Sequence, residues 1–388
     1  MLNRLWPVFA FLVIAMTQAN EDAAPQYAVN KINDRVYVLT ELWNGDNNGN
    51  AGVLITEKGV LLVGTLMTKS APALEHQLKL ITDKPVRYVI NIDSDPYNHH
   101  ANRYFAERGA TIISHENMRY EKAYSELLVN EQLTMQFGNE TVKIYHSSAH
   151  QLNHIDVFFE TSNVLFMSDG YKAHWLTSHG PNGLKGLLDT FDKAIALADD
   201  KTVIVTGNTS KHPDFYLSNK KTLLKIRQKH IAYTHRIGEL FNEGQTAKEI
   251  AKDEIINRLL SDFDLYPKAK QWLSEDIELV IETDFTKPFP LSLDTLQHYV
   301  GVYALADGTQ IEVLMKNERI FARSENAFLF ELLPLSKEIF DFKGTLGKNN
   351  LLFGVESNGM VTSLTTRLEE DGWWSSRIKA GTHKRIRH

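Results

Sequence analysis

The chain has 388 residues, a formal net charge of −6 and no cysteine. That length admits two domains, and the mild acidity without any basic run gives no footprint for a nucleic-acid partner. The missing cysteines exclude disulfides, a thiol nucleophile and any Cys metal ligand.

Met1 to Ala19 reads as a secretory signal, with Arg4 giving a charged start, an apolar run from Leu5 to Met16 and a small-residue cleavage site at Thr17-Gln18-Ala19. The run is shorter than the roughly 20 residues a membrane span needs. No stable membrane anchor is therefore expected after signal removal, and the expected home is the bacterial periplasm or the medium.

Strands follow at Arg35 to Thr40, Gly52 to Thr56 and Gly59 to Val63, the last two joined by a hairpin signal at Glu57-Lys58-Gly59. Leu74, Leu78 and Ile81 give a helical period over Ser70 to Ile81. Val86 to Ile92 is an apolar strand that runs directly into Asp93-Ser94-Asp95-Pro96-Tyr97-Asn98-His99-His100. Strands that empty into such side chains are where α/β enzymes gather their chemistry. A helix with Tyr104, Phe105 and Ala106 inward is expected next, ended by Gly109, then a strand from Ala110 to Ser114. Glu121 to Asn130 is predicted helical. Thr141 to Tyr145 and Ile155 to Phe159 read as strands around His146 to His154.

A Gly-rich loop, Gly170 to Gly183, carries His174 and His179 and is expected near the mouth of the site. Tyr216 to Glu243 is a helix with Leu223, Leu224, Ile231, Ile237, Leu240 and Phe241 as its apolar set and Gly244 as its stop. Ser218, in the pattern Ser218-Asn219-Lys220-Lys221, reads as a cap or first-turn residue. Thr246 to Glu249 is a capping box that starts the next helix, with Ile250, Ile255, Ile256 and Leu259 inward. Lys268 to Thr283 is helical on Trp272, Ile277, Val280 and Ile281.

Prolines at 288 and 290 mark a linker over 286–291. Beyond it come short strands only: Tyr299 to Leu305, Gln310 to Met315, Arg319 to Arg323, Phe328 to Leu333, Ile339 to Lys343, Asn350 to Val355, Val361 to Thr366 and Trp373 to Lys379. Closely spaced strands of this kind predict a small antiparallel barrel or sandwich, which either holds a cavity for an apolar ligand or, as is usual for small barrels, is filled by its own side chains and lids and stabilises the first domain.

The stretch from Asp83 to Asn91, the loop after it, and Asn102 to Asn117 together resemble the metallo-β-lactamase superfamily. The resemblance implies a four-layer αββα sandwich and, in the family, a Thr-His-x-His-x-Asp-His loop holding two zinc ions. In this chain the two leading His positions are Asp93 and Asp95, the family Asp is Tyr97 and the next His is Asn98. His150 matches the third His, Asp169 matches the bridging Asp, and the last His is Asn208. Val63-Gly64-Thr65 stands where the family writes Ile-Asp-Thr, so a supporting carboxylate is missing as well. Tyr299 to Tyr303 and Phe330 to Pro334 resemble the lipocalin-like domain appended to secreted bacterial hydrolases of the β-lactamase type. The implied order is a signal at 1–19, a metallo-β-lactamase-like α/β domain at 20–285 whose helical closing segment is 216–285, the linker, and an all-β domain at 292–388.

If that fold is kept, Asp93, Asp95, Asn98, His150, Asp169 and Asn208 surround one centre, with Tyr97 beside them. Three crowded carboxylates cannot all stay ionised and unpaired. One solution is a divalent cation: Mg, Mn or Ca suits oxygen ligands, and displaced histidines could instead build a Zn site. The other solution needs no metal, with Asn98 and Asn208 donating to the carboxylates and His99, His100 or His154 carrying positive charge. The first reading is a secreted hydrolase acting on a small ester, thioester or amide, with Asp95, Tyr97 and His150 as catalytic candidates and an activated water as nucleophile. The second is a pseudoenzyme that binds a small-molecule ligand or a periplasmic partner in the same cleft.

Overall fold

The computed structural model describes residues 26–42, 49–119, 123–207, 217–263, 265–324, 327, 329–345, 349–368 and 378–387. The expected signal segment and Asn208 lie outside the described residues.

A first sheet is built from β1 (Gln26–Lys31), β2 (Val36–Leu42), β3 (Asn50–Thr56), β4 (Gly59–Val63), β5 (Val86–Ile90), β6 (Thr111–His115) and β7 (Leu127–Val129), hydrogen-bonded in chain order. Its first four strands pair antiparallel and its last four parallel. A second sheet holds β8 (Gln132–Phe137), β9 (Glu140–Ser147), β10 (His154–Phe159), β11 (Val164–Phe166), β12 (Val203–Val205) and β13 (Leu217–Ser218), again neighbours in sequence. Here β11 and β12 are parallel and the other pairs antiparallel.

The faces of the two sheets pack on each other. Val36, Leu54, Leu61, Ile90 and Ile113 of the first meet Val142, Ile144, Val157, Phe159 and Phe166 of the second in one buried cluster. The outer face of the first sheet is covered by α1 (Ala71–Ile81), whose Leu74 and Leu78 join Val53, Leu62 and Val89, and by the short α2 (Pro96–His99) and α3 (Asn102–Ala106) region through Phe105. The outer face of the second sheet is covered by α4 (Gly183–Leu197), α5 (Lys220–Asn242), α6 (Ala247–Ile250), α7 (Glu254–Leu260), α8 (Tyr266–Ala269) and α9 (Leu273–Val280), which runs into a π-turn, Ile281–Phe285. Apolar faces on both sides of each sheet leave helix–sheet–sheet–helix as the layer order. That is the αββα arrangement the sequence implied.

After α10 (Leu293–Gln297), eight antiparallel strands close a barrel: β14 (Gly301–Ala304), β15 (Gln310–Lys316), β16 (Arg319–Ser324), β17 (Phe330–Pro334), β18 (Ile339–Phe342), β19 (Asn350–Val355), β20 (Val361–Arg367) and β21 (Gly381–Arg387). Tyr299, Tyr303, Phe340, Phe342 and Phe353 are buried together inside it, with aromatic pairs 4.8 to 5.9 Å apart. These side chains pack together in its interior, and a cavity of about 290 Å³ lined by Pro290, Leu296, Ile320 and Leu332 lies beside them. It rests on the sandwich through Leu152 packed on Phe321 and Leu329, the Lys316–Glu116 pair at 2.6 Å and the Gly344 N–H donated to Glu282 Oε1 at 2.7 Å.

Five local expectations are corrected. Of the helix predicted from Glu121 to Asn130, residues 121 and 122 lie outside the described residues, and the rest is no helix: Tyr124 sits at φ +55, outside the helical region, and Leu127-Leu128-Val129 form the edge strand β7 on β6. Ser218 is not the cap of α5: it ends β13 and bonds Tyr171 Oη at 2.6 Å, while Asn219 caps the helix by accepting from Thr222 N–H. Leu224, Ile255 and Trp272 are exposed; the buried stripe of α5 runs through Ile226, His230, Tyr233 and Thr234 instead. The helix expected from Lys268 is broken into α8, a 3₁₀ turn and α9, which turns Trp272 outward. The final strand is Gly381–Arg387 rather than Trp373 to Lys379, of which 373–377 lie outside the described residues. Helix α4 and strand β8 carried no expectation from the sequence.

Candidate functional site

The carboxyl ends of β5, β11 and β12 converge at one end of the sandwich. Beyond β5 the chain leaves Ile90 with Asn91 held on Ser114 Oγ at 2.6 Å, and the Asp93–His100 loop turns back beneath Thr65. Thr65 N–H donates to Asn98 O at 2.9 Å, and its Oγ1 donates to Asn102 Oδ1 at 2.9 Å. Thr65, the residue after Gly64, therefore braces the loop through both its backbone and its side chain. On the other side Asn50 of β3 ties the sheets together, its N–H to Gly207 O at 3.2 Å and its Nδ2 to Thr206 O at 2.8 Å.

Asp93, Asp95 and Asp169 meet there, each offering a ligand atom within 4.8 Å of the other two, all three side chains buried. Asn98 Nδ2 donates to both oxygens of Asp93 at 2.8 Å, and the Asp95 N–H donates to Asp93 Oδ1 at 2.8 Å. Asp95 Oδ1 accepts from Gln151 Nε2 at 3.0 Å and its Oδ2 accepts from the Tyr97 hydroxyl at 2.9 Å. The same hydroxyl touches Asp169 Oδ2. A phenol carries one proton, so it can donate to only one of these carboxylates. The other contact needs a proton on the carboxylate or a cation between the two.

Burial raises the pKa of Asp93 well above the usual carboxylate range, and the like charges of Asp95 and Asp169 add to it against the Asn98 and backbone hydrogen bonds. Burial likewise raises Asp169, with the Asp95 charge adding; Lys172, the Tyr97 hydroxyl and His150 act in the opposite sense. Tyr97 is pushed upward by burial and then by the three carboxylates, so it stays a neutral phenol. Without a counter-ion, then, the cluster holds on to protons.

His150 is half-buried, with Nδ1 3.1 Å from Ser178 O and its ring 5.6 Å from that of His154. It stands outside the set of three carboxylates but close enough to act on Asp169 electrostatically. His154 is fully buried and burial lowers its pKa well below the ordinary value. It does not carry the positive charge expected of it. His99 Nδ1 lies 3.0 Å from Asp95 O. His179, expected at the mouth of the site, is buried under the helices and pairs with Asp284 at 2.6 Å; His174 is buried too.

Several atoms around the centre have no hydrogen-bond partner although buried: Asp169 Oδ1, Asn98 Oδ1, both side-chain atoms of Asn153 and both ring nitrogens of His154. Unsatisfied groups of this kind cost about 1 to 3 kcal/mol each and call for a ligand or water. A donor set of three carboxylates, an amide oxygen and a phenol suits a hard divalent cation, and an unpartnered carboxylate oxygen at its edge fits one. No sequence signal singles out Gln151, or Gly207, where an added Cβ would lie 2.3 Å from Asp169 Oδ1 and 2.7 Å from its backbone nitrogen. Gly207→Ala is therefore expected to push Asp169 out of place and cost about 2 kcal/mol. Urea unfolding checks this, and an unchanged midpoint would show that the turn has room.

No family model and no curated protein matches the chain. Among solved structures it is similar to a metallo-beta-lactamase from Pontibacter korlensis, 14% identical, covering 52% of this chain and 98% of that one with a TM-score of 0.44. It is also similar to the metallo-beta-lactamase IND-7, at 17% identity, 54% and 100% coverage and a TM-score of 0.44. A double mutant of the sec-alkyl sulfatase PisA1 matches at 12% identity over 70% of this chain with a TM-score of 0.49, and the chain spans 54% of that structure. Likenesses this faint leave the layer order resting on the packing of the sheets and the chemistry on the side chains themselves.

Proposed function

We propose that the protein is a secreted or periplasmic hydrolase-like protein of metallo-β-lactamase descent whose zinc-ligand positions have been rebuilt for a hard divalent cation. The observation that supports this most is the meeting of Asp93, Asp95 and Asp169 in a buried cluster with Asp169 Oδ1 unpartnered. A divalent ion in that place would supply Lewis-acid polarisation and acidify water. Asp93, Asp95 and Asp169 would hold it. Asn98 keeps Asp93 in register, Gln151 and Tyr97 fix Asp95, and the Tyr97 hydroxyl can pass a proton between Asp95 and Asp169 at the edge of the site. His150, hung on Ser178 O, would face the substrate side as a base or donor. A small ester, thioester or amide is the substrate class proposed, with the barrel bracing the sandwich.

A second reading has its own support. The phenol bridging two carboxylates, the Asn98 amide on Asp93 and Gln151 on Asp95 make a network that closes much of its own hydrogen bonding. On that reading the chain is a pseudoenzyme that binds a ligand without turnover. Elemental analysis of the purified protein separates the two. About one equivalent of Mg, Mn or Ca, absent from Asp169→Ala, together with hydrolysis of simple esters or thioesters, is the expected result. Metal-free protein that stays so in millimolar cation would sink the hydrolase reading and leave the binding one.

A further inference from the structure

We infer that the barrel carries a binding site in its wall, apart from the acidic centre, for an uncharged and mainly apolar small molecule of about ten non-hydrogen atoms. Strands β16 and β17 pair only at Phe321 with Glu331 and at Ala322 with Phe330. Both continue past those pairs, β16 from Arg319 and β17 to Pro334, and there each is bonded to its other neighbour, β15 or β18. The wall therefore opens between Ile320 and Leu332, whose side chains belong to the barrel core. The linker lies over the opening, tied down by the Phe289 N–H on Pro334 O at 2.7 Å. Between them is the cavity of about 290 Å³, which Pro288, Phe289 and Leu291 line from the linker side. The middle of the barrel is taken by Tyr299, Tyr303, Phe340 and Phe353, so this space is a side pocket.

Size, lining and charge together select the guest. A water occupies about 30 Å³ of liquid, so the cavity has room for about ten groups of that size, near the lower end of small-molecule sites at about 300 Å³. Phe289 in the lining and Leu335 beside Pro334 are exposed, which makes the entrance apolar as well. The charges of the lining are already paired. Glu331 is buried; it accepts from Arg319 at 2.8 Å and has Lys343 Nζ 3.4 Å from its other oxygen. Glu318, at the turn before β16, faces solvent. Glu282 stands near Lys343 and Asp341, and burial raises the pKa of both carboxyls, to about 7 and about 6. A charged head would set a like charge against one member of the Glu331 pairs, and an uncompensated buried charge is costly. A hydroxyl or carbonyl oxygen fits better, because Arg319 and Lys343 carry more N–H groups than Glu331 and Asn182 accept from them.

Calorimetric titration of the full-length protein with 1-octanol, octanoate and octyltrimethylammonium tests this. Saturable binding of a single 1-octanol is expected, with the two charged analogues weaker by about 10-fold or more. Thr286→Trp, a change at an exposed residue of the lining, should fill the cavity and abolish the binding. Methyl NMR gives the location without a variant: 1-octanol should shift Ile320 and Leu332 and leave Ile113 of the sandwich core unmoved. No saturable binding of 1-octanol up to its solubility, binding that survives in Thr286→Trp, or shifts that miss Ile320 and Leu332 overturns the inference. Octanoate or octyltrimethylammonium bound as tightly as 1-octanol overturns it too, since the guest would then not be selected for lack of charge. If Thr286→Trp does not fold, the methyl shifts decide.

Discussion

Asp169→Asn is expected to reverse the way the protein responds to divalent cations. In the absence of metal the variant should melt above the wild type, because one of three mutually repelling buried carboxylates has been made neutral. With cation added the order should invert. A ligand that binds only the folded state stabilises it by about 2.7 kcal/mol at a hundredfold excess over Kd, and the wild type should gain that while the variant gains almost none. Asparagine keeps the shape of the side chain and can still accept from Tyr97, so loss of the cation effect would report charge and not collapse of the turn. Thermal melts of both proteins in chelator and in millimolar Mn²⁺ or Mg²⁺ make the comparison. Equal cation-induced shifts in the two proteins would remove Asp169 from the site.

Glu282→Gln is expected to stabilise the protein at alkaline pH and to leave it unchanged in acid. Glu282 lies in the π-turn after α9 and takes the Gly344 N–H from the barrel. Burial raises its pKa to about 7, with Asp341 adding and the Gly344 hydrogen bond and Lys343 opposing. Asp341 is itself pushed up to about 6 by burial. A carboxyl whose folded pKa exceeds its unfolded value near 4.5 takes up a proton on folding. Its contribution is therefore complete below pH 4.5 and is lost as the pH climbs through about 7. Above that the wild type carries a penalty of about 3 kcal/mol from this one group, a fair share of an ordinary folding free energy. Glutamine keeps the acceptor for Gly344 and removes the charge. Urea unfolding at pH 4, 6 and 8 should show the two proteins coinciding at the low end and separating by about 3 kcal/mol at the high end. Parallel curves would mean that Glu282 is solvated enough to ionise freely.

The two expectations concern different parts of the molecule, and the sequence showed them unequally. Asp93 and Asp95 could be named in advance because an apolar strand empties directly into them, whereas Asp169, which follows a strand of the other sheet, was placed beside them only by the resemblance. The capping box at Thr246 and the Gly244 stop were visible for the same reason as Asp93 and Asp95: each is a local rule met within a few residues. Where a local signal competed with its surroundings, the surroundings won. Leu127 to Val129 sat within a stretch read as helix until Tyr124, in a left-handed conformation, ended that option and β6 offered an edge. Glu282 and Asp341 gave no hint of unusual acidity, since that comes from a junction between segments some sixty residues apart.

By itself the sequence determined many of the strands and helices, the barrel after the proline linker, and the run of carboxylate and amide side chains at the end of β5. These depend on periodicity, turn residues and side-chain chemistry, all of which act over short stretches of chain. Only the tertiary structure decided which of those groups touch. It set the Tyr97 hydroxyl between two carboxylates, left Asp169 Oδ1 and His154 without partners, and buried His154 until it could hold no charge. The reason is that partner choice and desolvation are properties of distance and enclosure, and both are fixed when the two sheets close on each other.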